Sequence, residues 1–170
     1  MLRRREVSRI YHALVWGDPG PDSGVIDLPI GRDPRERKRM AVVHGTGRPA
    51  RTRWRVLERF SEATLVEARL ETGRTHQIRV HFAALRHPCV GDPLYGGRAR
   101  KSLSLQPSRR SLAHTLLGLL PRQALHATRL EFTHPVTKAV MHFESPVPPD
   151  MHEAIDRLRA FVTPRPSLEP

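Results

Sequence analysis

The stretch LETGRTHQIRVHFAALRHPCVGDPLYGG, Leu70–Gly97, contains the change of period on which the fold reading turns. Upstream of it, Thr52, Trp54 and Val56 alternate with Arg51, Arg53 and Arg55, and Thr64, Val66, Ala68 and Leu70 alternate with Glu67, Arg69 and Glu71. Side chains that alternate in this way belong to half-buried strands, and the short polar stretch Ser61–Ala63 between the two runs predicts an antiparallel pair. After Gly73 the interval lengthens. Ile78, Phe82 and Leu85 fall at helical spacing, which predicts a helix over Thr75–Leu85, opened by the Thr-Gly-Arg-Thr turn and closed before Pro88. Its first turns hold Arg74, His76, Gln77, Arg79 and His81, at a helix end where unpaired backbone N–H groups attract carboxylates and phosphates. GDPLYGG, Gly91–Gly97, reads as a loop one helix length later.

Working outward, Ile10–Trp16 is a strand bounded by the turn cluster Gly17–Gly24. Val25–Ile30 and Met40–Val43 are short strands on either side of a basic loop, Gly31–Arg39, too charged to be buried. Ala124–Phe132 and Ala139–Glu144 are strands joined by the hairpin THPVTK. Asp150 is expected to cap a last helix, with Glu153 completing a capping box and Met151, Ile155, Leu158 and Phe161 forming the apolar stripe. Arg98–Pro121 shows no clear period. The class is α+β: a largely antiparallel, mixed β-sheet with few helices, in one domain of 170 residues.

Lys+Arg number 29 against 17 Asp+Glu, a net charge of +12, and only Lys38, Lys101 and Lys138 are lysines. An arginine surplus of this size draws polyanions and grips phosphate through paired, planar donors, which points to a nucleic-acid partner. Aromatic residues are 5% of the chain, too few for a base-stacking platform. No apolar run approaches the ~20 residues that span a bilayer, and no signal-peptide core follows Met1. The single Cys89 excludes an internal disulfide framework and a cysteine zinc site, so a reducing cytoplasm is the expected compartment. His76 and His81 lie five apart with no carboxylate between them, unlike H-E-x-x-H, and no phosphate-binding glycine loop occurs, so metal hydrolase and nucleotide-binding readings fail.

The TGRTHQIRVH run and the HP-x-x-GD-x-x-YGG run after it resemble the RluA/RluD family of RNA pseudouridine synthases. RREVSRIYHALVWG (Arg4–Gly17) is similar to the family's tyrosine motif, GVIDLPIGRDPRERKRMAVV (Gly24–Val43) to its D-x-P-I-x-R loop, and RQALHATRLEFTHPVT (Arg122–Thr137) to its C-terminal segments. The resemblance implies the pseudouridine synthase catalytic-domain fold and the isomerisation of uridine to pseudouridine within RNA, with large-subunit rRNA favoured and transfer RNA possible. It implies no metal, nucleotide or organic cofactor. By resemblance, Tyr11 lies under the target uracil and serves proton transfer, and Arg79 ion-pairs with a catalytic aspartate. Ile78 lines the uracil pocket, Arg74, Thr75, His76 and Gln77 shape the site or touch RNA, and Asp92 is a structural turn residue.

One part of the family pattern is missing. The catalytic aspartate belongs to H-R-L-D-x-x-T-S-G, upstream of the tyrosine motif, whereas Arg69-Leu70-Glu71 and Arg129-Leu130-Glu131 are the nearest strings here. None of the seven aspartates (Asp18, Asp22, Asp27, Asp33, Asp92, Asp150 and Asp156) has that context. Residues 1–170 are therefore expected to be a partial catalytic domain, without the upstream half or an RNA-binding S4 domain. Three expectations follow: Arg79 lacks its carboxylate partner, an open hydrophobic sheet edge promotes self-association, and the chain binds RNA without turnover unless another segment supplies the aspartate. The alternative to an enzyme is thus a catalytically inactive RNA-binding fragment.

Overall fold

In the computed structural model, the structure describes residues 7–98 and 107–161; the first three residues of the Arg4–Gly17 segment lie outside them. Eight strands and three helices follow in the order β1 (Val7–Trp16), β2 (Ser23–Asp27), β3 (Ile30–Arg32), β4 (Met40–Val42), β5 (Arg51–Arg59), β6 (Ala63–Leu70), α1 (Gln77–Ala84), α2 (Pro107–Leu119), β7 (Leu125–Thr133), β8 (Val140–Glu144) and α3 (Pro149–Ala160). Six strands form one sheet in the order β2-β5-β6-β1-β7-β8, and β3 and β4 form a separate hairpin. Every strand pairing among the described residues is antiparallel.

Strand β1 is the axis of the sheet. It pairs with β6 over Ile10–Trp16 and with β7 over Val7–Ala13. Alternation sends Leu14 and Trp16 to one face, against Leu65, Ala63 and the apolar stripes of α2 and α3. Ala13 and Val15 go to the other, against Val66, Ala68, Trp54 and the α1 residues Ile78 and Phe82. Because both faces are covered here, Ala13–Trp16 is a continuous apolar run rather than an alternating one. A smaller cluster of Ile30, Ala50, Val80 and Tyr95 seats the β3–β4 hairpin on the outer side of α1. None of the described helices is long and apolar enough to cross a membrane.

The antiparallel β5–β6 pair and the β7–β8 hairpin stand as the sequence predicts. Element ends elsewhere shift by one to three residues, and three departures have a clear physical cause. Val25–Ile30 is divided between β2 and β3, since Pro29 has no N–H to continue a ladder. Helix α1 begins at Gln77 because His76 takes the left-handed conformation, φ 57°. The capping box of the last helix does not form. Pro148 is the N-cap and Pro149 opens the helix, while the Asp150 carboxylate turns to Arg122 (2.8 Å) and to the Met151 N–H. The stretch without period contains α2, of which only Leu112, Ala113 and Leu116 are buried.

Among the described residues, the edge strands of the sheet are β2 and β8. Val140 and Phe143 on β8 are about half exposed (56% and 50%), and Phe143 stacks on Phe132 of β7. Unpaired N–H and C=O groups beside exposed apolar side chains form a template for another strand. We expect the chain to self-associate through β8, and the paired substitutions Val140→Lys and Phe143→Lys to shift gel filtration toward monomer. An oligomeric state indifferent to both would count against that edge.

Candidate functional site

The site is built around the first turn of α1. Gln77, the first helical residue, is buried and all its polar positions are used. Its Oε1 accepts from the Thr72 hydroxyl (2.8 Å) and the Arg74 N–H (2.9 Å), and its Nε2 donates to the Arg51 carbonyl and Thr52 Oγ1 (both 3.0 Å). Gln77 thus fastens the Gly73–His76 turn to the end of β5, with no polar group left to face a ligand. The Thr52 hydroxyl donates to His81 Nδ1 (2.9 Å), and His81 Nε2–H donates to the Leu28 carbonyl (3.0 Å). Because a carbonyl can only accept, the proton of His81 sits on Nε2.

Ile78 and Arg79 leave this turn in different directions. Ile78 enters an apolar cluster against which Tyr11 packs, so both predicted residues lie at the same face of the sheet. Tyr11 projects from β1 beside a register shift in the β1–β7 pairing, where Ile10 faces Arg129 and Tyr11 faces Ala127. Such irregularities re-aim a side chain at a sheet surface. Tyr11 is partly buried, and its hydroxyl makes no hydrogen bond among the described residues.

Arg79 does not lack a carboxylate, contrary to the sequence expectation. Its Nε donates to Asp92 Oδ2 (2.7 Å) and its Nη2 to Asp92 Oδ1 (2.9 Å), a side-on bidentate pair in which Arg79 is 7% exposed and Asp92 fully buried. The Leu94 and Tyr95 N–H groups also donate to Asp92 Oδ1 (2.9 and 3.1 Å). Burial alone would raise the Asp92 pKa. Arg79 and the two amides outweigh it and hold the carboxyl below its ordinary range, while the same pair raises Arg79. The sequence marked Asp92 only as a turn residue, because a separation of thirteen positions carries no pairing signal.

Tyr95 connects this pair to the rest of the site. The Arg79 guanidinium lies 4.8 Å from its ring centroid and that of Arg39 5.3 Å. Its hydroxyl accepts the Met40 N–H (3.1 Å) and shares a hydrogen bond with His76 Nδ1 (2.9 Å). This contact holds His76 in a backbone conformation that an L-residue reaches at a cost of order 1 kcal/mol. Burial and the neighbouring Arg79 charge lower the His76 pKa. Gly97 closes the loop where a side chain would strike the Cys89 carbonyl, and its own carbonyl accepts from Trp16 Nε1 (2.8 Å).

Next to His76 lies a cleft of about 570 Å³ between the β3–β4 hairpin and the Gly73–His76 turn. Arg32, Arg37, Lys38, Arg48 and Arg74 line it together with Thr75 and His76, and none of the described acidic residues does. Arg74 is steadied by donating to the Pro49 carbonyl (3.0 Å). Arg74, Thr75 and His76 stand out in the sequence through the TGRTHQIRVH run, whereas the hairpin cations opposite them do not, because their approach depends on how β3 and β4 fold back. Among the described residues no cluster of three or more His, Cys, Asp or Glu could hold a metal ion.

Comparison with known proteins gives a consistent result. The RNA pseudouridylate synthase family model matches residues 1–84. The chain is 49% identical over 158 residues to ribosomal large subunit pseudouridine synthase D of Nitrosomonas europaea, covering 93% of this chain and 43% of that protein. It is 47% identical over 160 residues to the Escherichia coli protein of the same name, covering 94% of this chain and 47% of that protein. The chain thus spans less than half the length of these relatives. Among solved structures, human RNA pseudouridylate synthase domain containing 1 superposes with a TM-score of 0.67 at 28% identity, over 96% of this chain and 70% of that one.

His81 generates a pH prediction. Burial lowers its pKa, so the folded state resists the proton that the unfolded chain takes up near pH 6.5. Folding stability should therefore fall as pH drops below about 6.5 through the lowered folded value. Urea melts from pH 7.5 to 5 should show this loss, and His81→Gln should flatten the slope. An unchanged slope in the variant would move the effect elsewhere.

Proposed function

We propose that this chain, which belongs to the RNA pseudouridine synthase family, supplies the tyrosine–arginine wall of a site that isomerises uridine to pseudouridine in RNA. By the names of its relatives, large-subunit rRNA is the favoured substrate. The observation that carries the reading is the start of α1, where Ile78 joins the apolar cluster on which Tyr11 packs, Arg79 follows it, and His76 lines a cleft of five cations. The cleft would bind the phosphates flanking the target, and the uridine, turned out of its stack, would lie on Tyr11 with Ile78 as its apolar wall. The reaction breaks C1′–N1, turns the base and forms C1′–C5. The proton lost from C5 is balanced by one gained at N1, and Tyr11 is the candidate carrier. Arg74, Thr75 and His76 belong to the phosphate side of this site, and Gln77 to its framework.

The reaction also needs a carboxylate in the pocket. Asp92 does not fit that role: it is fully buried, and four donors from Arg79, Leu94 and Tyr95 occupy its oxygens. The catalytic aspartate therefore comes, in this proposal, from a segment outside residues 1–170. The second reading, an RNA-binding fragment without turnover, is favoured for the chain by itself on the same ground.

Tritium release from RNA labelled at uridine C5 separates these readings. The chain alone should release none, while a fusion carrying an upstream H-R-L-D segment should release tritium, and Arg79→Ala in that fusion should cost about 10²-fold or more in turnover. An inert fusion, or one indifferent to Arg79→Ala, would remove the enzyme reading. RNA affinity should fall steeply with salt, and replacing Arg32, Arg37 and Lys38 together by Ala should reduce the slope of log affinity against log salt by about 2. An unaltered slope would place the RNA elsewhere.

A further inference from the structure

We propose that Asp92 is a positioning residue for Arg79: it clamps one edge of the guanidinium so that Nη1, on the opposite edge, is presented to an incoming anion. The inference rests on the reading of Arg79 as part of a uridine-isomerising site. Asp92 does more than close a turn. The turn needs only Oδ1, which accepts the Leu94 and Tyr95 N–H groups, and an asparagine oxygen would serve equally. Oδ2 and the negative charge are used by Arg79 alone. A fully buried carboxylate is strongly disfavoured unless it is paired, and Arg79 is the charged partner of this one.

The geometry of the clamp decides which atoms stay available. The pair engages Nε and Nη2, and the Tyr95 ring covers the guanidinium at 4.8 Å. Nη1 has no hydrogen-bond partner among the described residues, nor is it one of the enclosed nitrogens without a partner. A guanidinium fixed side-on cannot rotate about its Nε–Cζ bond without breaking two charge-assisted hydrogen bonds. The Nη1 edge is therefore held at one angle before any anion arrives, a carboxylate or a phosphate oxygen equally. Lysine, a point charge on a flexible stem, could not be aimed this way.

Nitrogen-15 NMR of the arginine side chains in the whole chain tests this, with Arg79→Lys used to assign the signals. In the wild type the Arg79 Nε–H and Nη2 protons should exchange slowly and the Nη1 protons quickly. Asp92→Asn should leave the Leu94 and Tyr95 amide signals near their places and merge the separate Arg79 Nη signals into one averaged line. Separate Nη signals in Asp92→Asn would overturn the proposal, as would loss of the loop amides together with the clamp. If Asp92→Asn does not fold, the wild-type exchange pattern decides, and equal exchange at Nη1 and Nη2 would overturn it. Adding single-stranded oligouridine RNA should move the Nη1 signals and spare Nε–H; a shift at Nε–H instead would overturn the clamp. RNA that does not bind, with the Asp92→Asn result as expected, would remove the functional reading and leave the clamp standing.

Discussion

A buried guanidinium needs a fixed, charged partner, and the Arg79–Asp92 pair provides it at the junction of three parts of the molecule. Arg79 belongs to the helix beneath the sheet, Asp92 to the loop that returns from it, and Tyr95, whose ring covers the pair, also hydrogen-bonds the β3–β4 hairpin through Met40 and the helix start through His76. If the pair is lost, two charges are stranded in a region with little water, a cost of about 3–5 kcal/mol. The position of the cation-lined cleft then depends on contacts that no longer have a common anchor.

This arrangement is possible because the central strand does two jobs along its length. Its second half, Ala13–Trp16, is apolar on both faces and joins the two cores. Its first half is only partly buried, and there Tyr11 stands beside a break in register, its hydroxyl without a hydrogen bond among the described residues. Rigidity and access are thus separated by a few residues on one strand. The saturated hydrogen bonds of Gln77, Thr52 and His81 extend that rigidity to the turn before α1. The side-chain polar atoms of Gln77, Thr52 and His81 all have protein partners, so these three hold the turn without water or ligand.

The strands were legible because alternation is a local signal: Thr52–Val56 and Thr64–Leu70 announce their inward faces, and the hairpin at THPVTK its turn. Helix α2 was not, since three buried residues on an otherwise solvated surface make too thin a stripe to stand out. The missing capping box has a different cause. Asp150 had a stronger use, the Arg122 guanidinium, which lies 28 positions away in sequence. In the site, Tyr11, Ile78, Arg79 and the Arg74–His76 run were visible through their motif. The Asp92 clamp, the Tyr95 bridge and the hairpin cations were not, because each depends on chain segments brought together only by the fold.

A double-mutant cycle on folding stability tests the pair most directly, with Arg79→Met, Asp92→Asn and both together measured by urea unfolding at pH 7. The account expects a coupling of about 2 kcal/mol or more, with the double variant more stable than the sum of the single losses allows, because each single change strands a buried charge or its polar remnant. Losses that add to within about 0.5 kcal/mol would show two independent residues and contradict it.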